Sequence, residues 1–114
     1  MPDVTTAGLH VALNGLSARQ RVIADNIANL ETPEFLAGRV DFESSLSAAL
    51  SGDNPASAEI TTERSMAATG VNGNNVNLDE ETLALIETDL RYQVTSQAIS
   101  SKFALLRTAI GRGY

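Results

Sequence analysis

A chain of 114 residues has the size of one ordinary domain, but it contains only three phenylalanines, two tyrosines and no tryptophan, so any compact core is thin. Its net charge of −6 argues against a nucleic-acid partner, because phosphate binding needs clustered lysine and arginine. The absence of cysteine excludes disulfides and thiolate chemistry, no secretory signal peptide is recognisable, and no stretch approaches the roughly 20 apolar residues that a membrane-spanning helix needs.

The first predicted element is a helix from about Thr5 to Asn29. Its apolar residues recur at alternating steps of four and three, which is the a/d spacing of a coiled-coil seam. Gly8 and Gly15 each lower helix stability by about 1 kcal/mol relative to alanine, so we expect this helix to depend on a packing partner. The seam consists of Leu9, Leu13, Leu16, Gln20, Ile23, Ile27 and Leu30.

The end of this helix, "ADNIANLETPEF", is unusual because Asn26 and Asn29 interrupt the apolar face one turn apart. Thr32 and Pro33 follow, and a residue that precedes proline disfavours helical geometry, so the chain is expected to turn there. Two interpretations of the asparagines are open. Each could bond a neighbouring backbone and fix the register of packed helices, or asparagine could simply cap the end of its own helix.

The middle of the chain is polar and acidic: residues 31–77 carry seven acidic residues against Arg39 and Arg64. Asp41 is a candidate N-cap for a short amphipathic helix near residues 42–50. The stretch that follows is rich in Ser, Gly, Asn, Thr and Ala, and it cannot repay its own ordering entropy, so it is expected to be mobile. The apolar side of the short helix would consist of Phe42, Leu46, Ala49 and Leu50.

The last predicted element is a helix from about Leu78 to Ile110. Asn77 can cap it, with Glu80 three residues further on, as in a capping box. Two apolar stripes run along it on different faces, so more than one neighbour is expected. The early stripe is Leu83, Ile86, Leu90 and Val94, and the late stripe is Tyr92, Ile99, Phe103, Leu106 and Ile110.

Residues that could carry catalysis or bind a metal are scarce. His10 is the only histidine and has no carboxylate cluster near it in the sequence. The consecutive acids Asp79, Glu80 and Glu81 point in different directions on a helix, so a capping and dipole role fits them better than a metal site. The sequence around Gly73 lacks the lysine of a phosphate loop. We therefore predict no catalytic residue, no metal site, no cofactor and no enzymatic activity.

These patterns predict an all-α fold in which long N- and C-terminal helices pack as an antiparallel or coiled-coil pair, joined by a short helix and an irregular, partly mobile middle. The corresponding segments are residues 1–32, 33–77 and 78–114. The apolar stripes allow two interpretations. They could form one intramolecular helical hairpin, or they could pack between copies and different subunits, and the change of face along the last helix favours the second.

"ADNIANLETPEF" resembles the N-terminal signature of bacterial flagellar axial proteins, A-N-N-[IL]-A-N-x-x-T-P-G-[YF]. The pieces "VDFESSL" and "GNNVNLDEETLALIETDLRYQVTSQAISSKFALLRTAI" are similar to the rod proteins of that family. The resemblance covers both terminal segments and little between Gly52 and Gly70. Two positions depart from the signature: Asp25 replaces an asparagine, and Glu34 replaces the glycine after Pro33, where a turn with positive φ would be costly for glutamate.

The resemblance implies a structural subunit of the proximal rod, the part of the flagellar drive shaft at its base, near the MS ring and the export gate. It implies assembly by coupled folding and polymerisation, and export to the periplasmic rod by flagellar type III secretion without a cleaved signal. The implied partners are other rod proteins, the adaptor FliE, copies of the chain itself and the export gate. Nucleic acid, small-molecule substrates and a membrane-spanning segment are not expected.

The residues expected to pack between subunits come from the seam of the first helix, the two stripes of the last helix and the signature. A competing hypothesis is a small cytoplasmic coiled-coil adaptor or regulator that dimerises through the same heptads. The turn of the signature is expected at Thr32, Pro33 and Phe35. The expected packing residues are Leu9, Leu13, Leu16, Ile23, Asn26, Ile27, Asn29, Leu90, Tyr92, Ile99, Phe103, Leu106 and Ile110.

Overall fold

The computed structural model describes residues 3–111. Residues 1, 2 and 112–114, which belong to the predicted terminal segments, lie outside the described residues. The described chain is mostly helical, and its two long helices pack together. The elements in chain order are α1 (Val4–Ala28), β1 (Gly38–Asp41), α2 (Glu43–Ser51), β2 (Thr61–Arg64) and α3 (Leu78–Gly111), with a 3-10 turn at Pro55–Ser57.

Both long helices are capped at their N-termini by side chains. Asn77 accepts a hydrogen bond from the Glu80 amide of α3 at 3.1 Å, so its predicted capping role is confirmed. Asp3 caps α1 by accepting from the Thr6 amide at 2.8 Å. The Lys102 ammonium, 2.7 Å from Asp3, together with the Thr6 amide, lowers the pKa of Asp3 from 3.8 to about 2. The pair therefore stabilises the fold above pH 3.8, and its contribution is lost as the pH falls through about 2.

Contacts between α1 and α3 pair low residue numbers with high ones. Asp3 contacts Lys102 at one end, the Gln20 amide donates to Asp89 at 2.7 Å in the middle, and Asn26 bonds Glu81 at the other end. Residue numbers of the contacting pairs thus run in opposite directions along the two helices. Since Asp3 lies opposite Lys102, none of the described α1 residues lies opposite residues 103–111, which extend about 13 Å further at 1.5 Å per residue.

The connecting segment contains a small sheet, so the prediction of an all-α fold was wrong in this respect. β1 and β2 pair antiparallel, with Gly38 opposite Arg64 and Asp41 opposite Thr61. Asp41 is therefore a strand residue rather than the predicted cap of α2, whose N-terminal cap position is Phe42 without a side-chain hydrogen bond. β1 has a single buried apolar side chain, Val40, and β2 has none, so the alternation in these four-residue strands is too weak to be recognised in the sequence.

The small core forms where β1 crosses α1. Leu16, Val40 and Phe42 are buried together, and the half-buried Tyr92 of α3 packs against them. Arg19 covers this cluster, with its guanidinium 5.0 Å from the centre of the Phe42 ring and an Nη2 bond of 2.7 Å to the Val40 carbonyl. The same guanidinium forms an ion pair with Glu43, which ties the start of α2 to α1. The late stripe of α3 thus contributes Tyr92 to an intramolecular core.

Gly15 is the reason that the Phe42 ring can lie directly on α1. A Cβ atom at this position would lie 2.5 Å from Cδ1 of the Phe42 ring, closer than real Cβ contacts allow. Because the ring is buried at 4% exposure, it has little room to move away. A glycine that weakens the isolated helix is therefore required by the packing of the core.

We expect Gly15→Ala to lower the free energy of unfolding by about 1–3 kcal/mol, since overpacking a filled core outweighs the gain in helix propensity. Gly8→Ala is the matched control in the same helix: its Cβ would meet only the flexible end of the half-exposed Leu50, at 3.0 Å. Urea unfolding of the two variants measures the difference. Equal stability of Gly15→Ala and the parent chain would contradict the packing explanation.

Candidate functional site

The first asparagine of the signature lies at the centre of a buried polar cluster. Asn26 is fully buried, and its Nδ2 donates to the Gly38 carbonyl at 3.0 Å and to Oε2 of Glu81 at 3.1 Å. Its Oδ1 accepts from the Gly38 amide at 2.8 Å. One side chain of α1 therefore fixes both the first residue of β1 and the first turn of α3.

The Asn26 cluster includes a buried carboxylate that is fully partnered. Glu81 is 1% exposed, and its second oxygen, Oε1, receives Nη1 of Arg39 at 2.8 Å. Arg39 is half-exposed and also bonds the Gly38 carbonyl at 2.9 Å. Among the described residues, no buried side-chain nitrogen or oxygen lacks a hydrogen-bond partner. Removal of any one member would leave a buried polar group unpaired, which makes the arrangement sensitive to substitution.

The second asparagine has a different role. Asn29 follows the last residue of α1, and its Nδ2 donates to the Asp25 carbonyl at 2.8 Å while its Oδ1 accepts from the Thr32 hydroxyl at 3.0 Å. Asn29 is thus a local cap, as the second interpretation proposed, and α1 ends at Ala28, before Thr32 and Pro33. Asn26 fixes register, but its partners in this structure belong to the same chain.

The signature then forms a tight turn over residues 32–35. The Phe35 amide donates to the Thr32 carbonyl at 3.3 Å, Pro33 occupies the second position, and Glu34 has φ = 64°. Proline followed by a residue with positive φ is the pattern of a type II turn, which normally places glycine third. The turn of the family signature is therefore retained here, with glutamate in a conformation that is unfavourable by about 1–2 kcal/mol for an L-residue.

A second pair of asparagines, distant in sequence, holds this turn in place. Nδ2 of Asn74 donates to the Asn29 carbonyl at 2.9 Å and to the Thr32 carbonyl at 2.8 Å. Oδ1 of Asn75 accepts a hydrogen bond from the Ala37 amide at 2.7 Å. Its Nδ2 donates to the carbonyls of Ser65 and Ala67, which follow β2. Sequence analysis missed both residues. Both lie in the piece that is similar to rod proteins, but their signal in the sequence, a run of asparagines around Gly73, does not indicate which backbone groups they bind.

The early stripe of α3 is exposed to solvent. Leu83, Ile86, Leu90 and Val94 are 59–65% exposed, although they lie on one side of the helix at steps of three and four. Beyond the paired part of the helices, Phe103, Leu106 and Ile110 are 47–66% exposed. Single exposed apolar residues are ordinary on a protein surface, whereas a continuous row of them marks an interaction surface.

Two findings on the described residues concern metal binding and membrane crossing. No group of three or more His, Asp or Glu side chains between residues 3 and 111 is placed to hold a metal ion. His10 is exposed on α1. In the same part of the chain, no helix combines the length and the apolar character needed to cross a bilayer.

Comparisons with known proteins identify the family of this chain. Residues 9–35 match the family model described as "Flagella basal body rod protein". The chain is 32% identical to the flagellar basal body rod protein FlgB of Bacillus subtilis, over 96% of this chain and 95% of that protein. The chain belongs to the FlgB family of flagellar basal body rod proteins. It is also 28% identical to the FlgB protein of Borreliella burgdorferi, over 82% of this chain and 86% of that one, and 26% identical to that of Escherichia coli K12, over 90% and 89%.

The segment that matches the rod family model runs from Leu9 in α1 to Phe35 in the turn. It contains Asn26, Asn29 and the type II turn, but not Glu81, Asn74 or Asn75, which complete their hydrogen bonds from later in the chain. Phe35 is half-buried beneath Arg64, whose guanidinium lies 5.3 Å from the ring centre. In this FlgB-family chain, the signature is therefore folded against residues that follow it by up to 55 positions.

The structure separates the predicted packing residues into three groups. The residues of the first group are buried within the chain, which shows an intramolecular role for them. The residues of the second group are half-buried and those of the third group are exposed, so contacts of both groups with other subunits stay a prediction. The groups are Leu16, Ile23, Asn26 and Ile99; then Leu9, Leu13, Ile27, Asn29 and Tyr92; then Leu90, Phe103, Leu106 and Ile110. Of the turn, Thr32 and Pro33 are exposed.

Substitution of Asn26 by alanine should lower the free energy of unfolding by about 3 kcal/mol. The Gly38 amide and the Glu81 carboxylate each lose a buried hydrogen-bond partner, and each buried group left unpaired destabilises the fold by about 1–3 kcal/mol. The matched control is Asn29→Ala, which removes only exposed local bonds and should cost about 1 kcal/mol or less. Urea denaturation of both variants gives the comparison. If Asn29→Ala were as damaging as Asn26→Ala, the buried cluster would not be what holds the helices.

Glycine at position 34 should stabilise the fold by about 1 kcal/mol, because it relieves the positive φ of Glu34. Glu34→Ala is the control, since alanine loses the same side-chain atoms beyond Cβ but keeps the unfavourable backbone conformation. Thermal unfolding should therefore rank Glu34→Gly above both the parent chain and Glu34→Ala. A parent chain as stable as the glycine variant would show that side-chain contacts of Glu34 outweigh the backbone strain.

Proposed function

We propose that this chain is a non-enzymatic structural subunit of the flagellar rod that packs into the rod through the exposed apolar side of α3. The observation that carries the proposal is the row formed by Leu83, Ile86, Leu90 and Val94, which stays exposed although α1 and α3 already pair within the chain. Membership of the FlgB family supplies the assembly in which such a surface finds partners.

The shape of the described chain supports this role. It measures 69 × 26 × 14 Å, so it is a thin rod with a high ratio of surface to core. A single pair of helices buries little apolar area, and a drive shaft that carries torque needs repeated contacts along the length of each subunit. The hairpin supplies a defined shape, and the exposed side of α3 supplies the contacts.

The resemblance to rod proteins supports a more specific placement. We place the subunit in the proximal rod, at the base near the MS ring, with other rod proteins, the adaptor FliE, the export gate and further copies of the chain as neighbours. Delivery to the periplasm would use flagellar type III secretion without a cleaved signal. The connecting segment with its sheet would face outward, because both apolar rows belong to the helices.

Folding of α3 is coupled to this assembly in our proposal. Its first part is tied to the rest of the chain by the Asn26–Glu81 bond, whereas residues 103–111 have no described α1 residue opposite them. A helix end of nine residues with exposed apolar side chains is marginal in water. Neighbouring subunits that bury Phe103, Leu106 and Ile110 would stabilise it in the rod.

Replacement of Leu83 and Ile86 by serine should abolish incorporation of the chain into basal bodies, and swimming with it, in the source bacterium. Both side chains are more than 60% exposed, so the stability of the isolated chain should change by no more than about 0.5 kcal/mol each. The matched control is Gln93→Ser, an exposed polar position on the same helix. Basal bodies are isolated and probed for the chain, and swimming is measured in soft agar.

Normal assembly and swimming of the Leu83→Ser/Ile86→Ser variant would contradict the proposed packing surface. If the parent chain did not copurify with basal bodies and remained a cytoplasmic dimer held by the same helices, the competing hypothesis of a small coiled-coil adaptor or regulator would be supported instead.

A further inference from the structure

The chain contains two Asn-Gly pairs, Asn14–Gly15 in α1 and Asn72–Gly73 in the segment between β2 and α3. Asparagine is a thermolabile residue, because the backbone nitrogen of the next residue can attack its side-chain amide. The attack is least hindered when that next residue is glycine, which has no Cβ atom. Both asparagines are exposed. Their reactivity therefore depends on the backbone that surrounds each pair.

The backbone of Asn14–Gly15 is fixed in the middle of α1. This helix has 25 residues, so the Gly15 amide is bonded to the carbonyl four residues earlier. Gly15 is buried against the Phe42 ring, where an added Cβ would lie 2.5 Å from Cδ1. Rotation of the Asn14 peptide towards ring closure would break the helix beside the core. The fold therefore protects Asn14.

The backbone of Asn72–Gly73 is held less firmly. Gly73 has φ = 79°, and its amide donates to the Gly70 carbonyl at 3.0 Å in a turn whose residues 70–72 are exposed. Oδ1 of Asn72 accepts from the Asn74 amide at 3.1 Å. This bond folds the Asn72 side chain back across the Gly73 peptide, as in an Asx turn, and polarises its carbonyl. Opening of one exposed turn is enough to free the Gly73 nitrogen beside Cγ of Asn72.

We infer that Asn72 is a site of spontaneous deamidation, which the fold leaves reactive while it protects Asn14. The Gly73 nitrogen attacks Cγ of Asn72, the bond between Cγ and Nδ2 breaks, and Nδ2 leaves as ammonia with the proton that the Gly73 nitrogen gives up. Water then opens the resulting succinimide ring. If the bond between the ring nitrogen and Cγ breaks, the product is aspartate. If the bond between the ring nitrogen and the main-chain carbonyl carbon breaks, the product is isoaspartate, in which the main chain runs through Cβ.

Isoaspartate at position 72 would release the turn of the signature, because the chain holds that turn from both sides of the reactive bond. Before the bond, the Asn72 carbonyl accepts from the Glu34 amide at 2.9 Å. After it, Oδ1 of Asn75 accepts from the Ala37 amide at 2.7 Å. A main chain lengthened by one methylene between positions 72 and 73 cannot keep both bonds in place. The reaction needs only water, so this inference goes beyond the proposed rod function and does not depend on it.

Peptide mapping by mass spectrometry tests the site. The purified full-length chain is incubated folded and in urea at one mildly alkaline pH, and conversion of amide to acid is followed at both Asn-Gly pairs. We expect Asn72 to react several-fold faster than Asn14 in the folded chain, and the two to react at similar rates in urea. An Asn72 that reacts no faster than Asn14 in the folded chain would overturn the inference. So would a preference for Asn72 that persists in urea, since the fold would then not be its cause.

Amide hydrogen exchange of the separated products tests the consequence. In the isoaspartyl form, the Glu34 or the Ala37 amide should exchange faster than in the parent chain, while the Gly38 amide, which bonds Asn26, keeps its protection. The Asn72→Asp chain is the matched control, because it adds the charge without lengthening the main chain, and it should keep both amides protected. Unchanged exchange at Glu34 and Ala37 in the isoaspartyl form would reject release of the turn. Equally fast exchange in Asn72→Asp would reject the lengthened main chain as its cause.

Discussion

One buried side-chain amide holds the molecule together. Asn26 joins α1 to the start of β1 and to the first turn of α3, and each of its three hydrogen bonds is 2.8–3.1 Å long. A leucine at this position would allow the helices to slide, whereas an amide matched to the Gly38 backbone and to Glu81 accepts one register. The ion pair with Arg39 then compensates the buried Glu81 charge, so the cluster specifies the pairing more than it adds to net stability.

The molecule is uneven along its length. Near Asn26 the chain has its polar cluster, its small core around Phe42 and the turn held by Asn74 and Asn75. From residue 103 to residue 111 no described residue of α1 lies opposite α3, and Phe103, Leu106 and Ile110 are exposed. A FlgB-family subunit built in this way has a defined fold near Asn26 and exposed apolar side chains along α3 from Leu83 to Ile110. The paired part of the helices is held by contacts within the chain, whereas residues 103–111 have no described α1 residue opposite them.

Local patterns gave the helices but not their connections. The heptad spacing and the Asn77 cap predicted α1 and α3 to within one residue at each end, because both signals act over a few residues. The partners of Asn26 lie 12 and 55 residues away, so no local rule could name them. Glu34 adopts its positive φ because Asn72 and Asn74 bind the turn, which is again a long-range effect. The interpretation that favoured packing between subunits missed that Leu16 and Ile23 are buried within the chain.

Amide hydrogen exchange on the free subunit and on isolated basal bodies would separate the part of the fold that is stable alone from the part that needs neighbours. We expect slow exchange around Asn26, Gly38 and Glu81 in both states, because the buried cluster stabilises that end within the chain. Residues 103–111 should exchange rapidly in the free subunit and slowly in the basal body. Slow exchange of residues 103–111 in the free subunit, or rapid exchange around Asn26 there, would contradict the division into a self-sufficient end and an end completed by assembly.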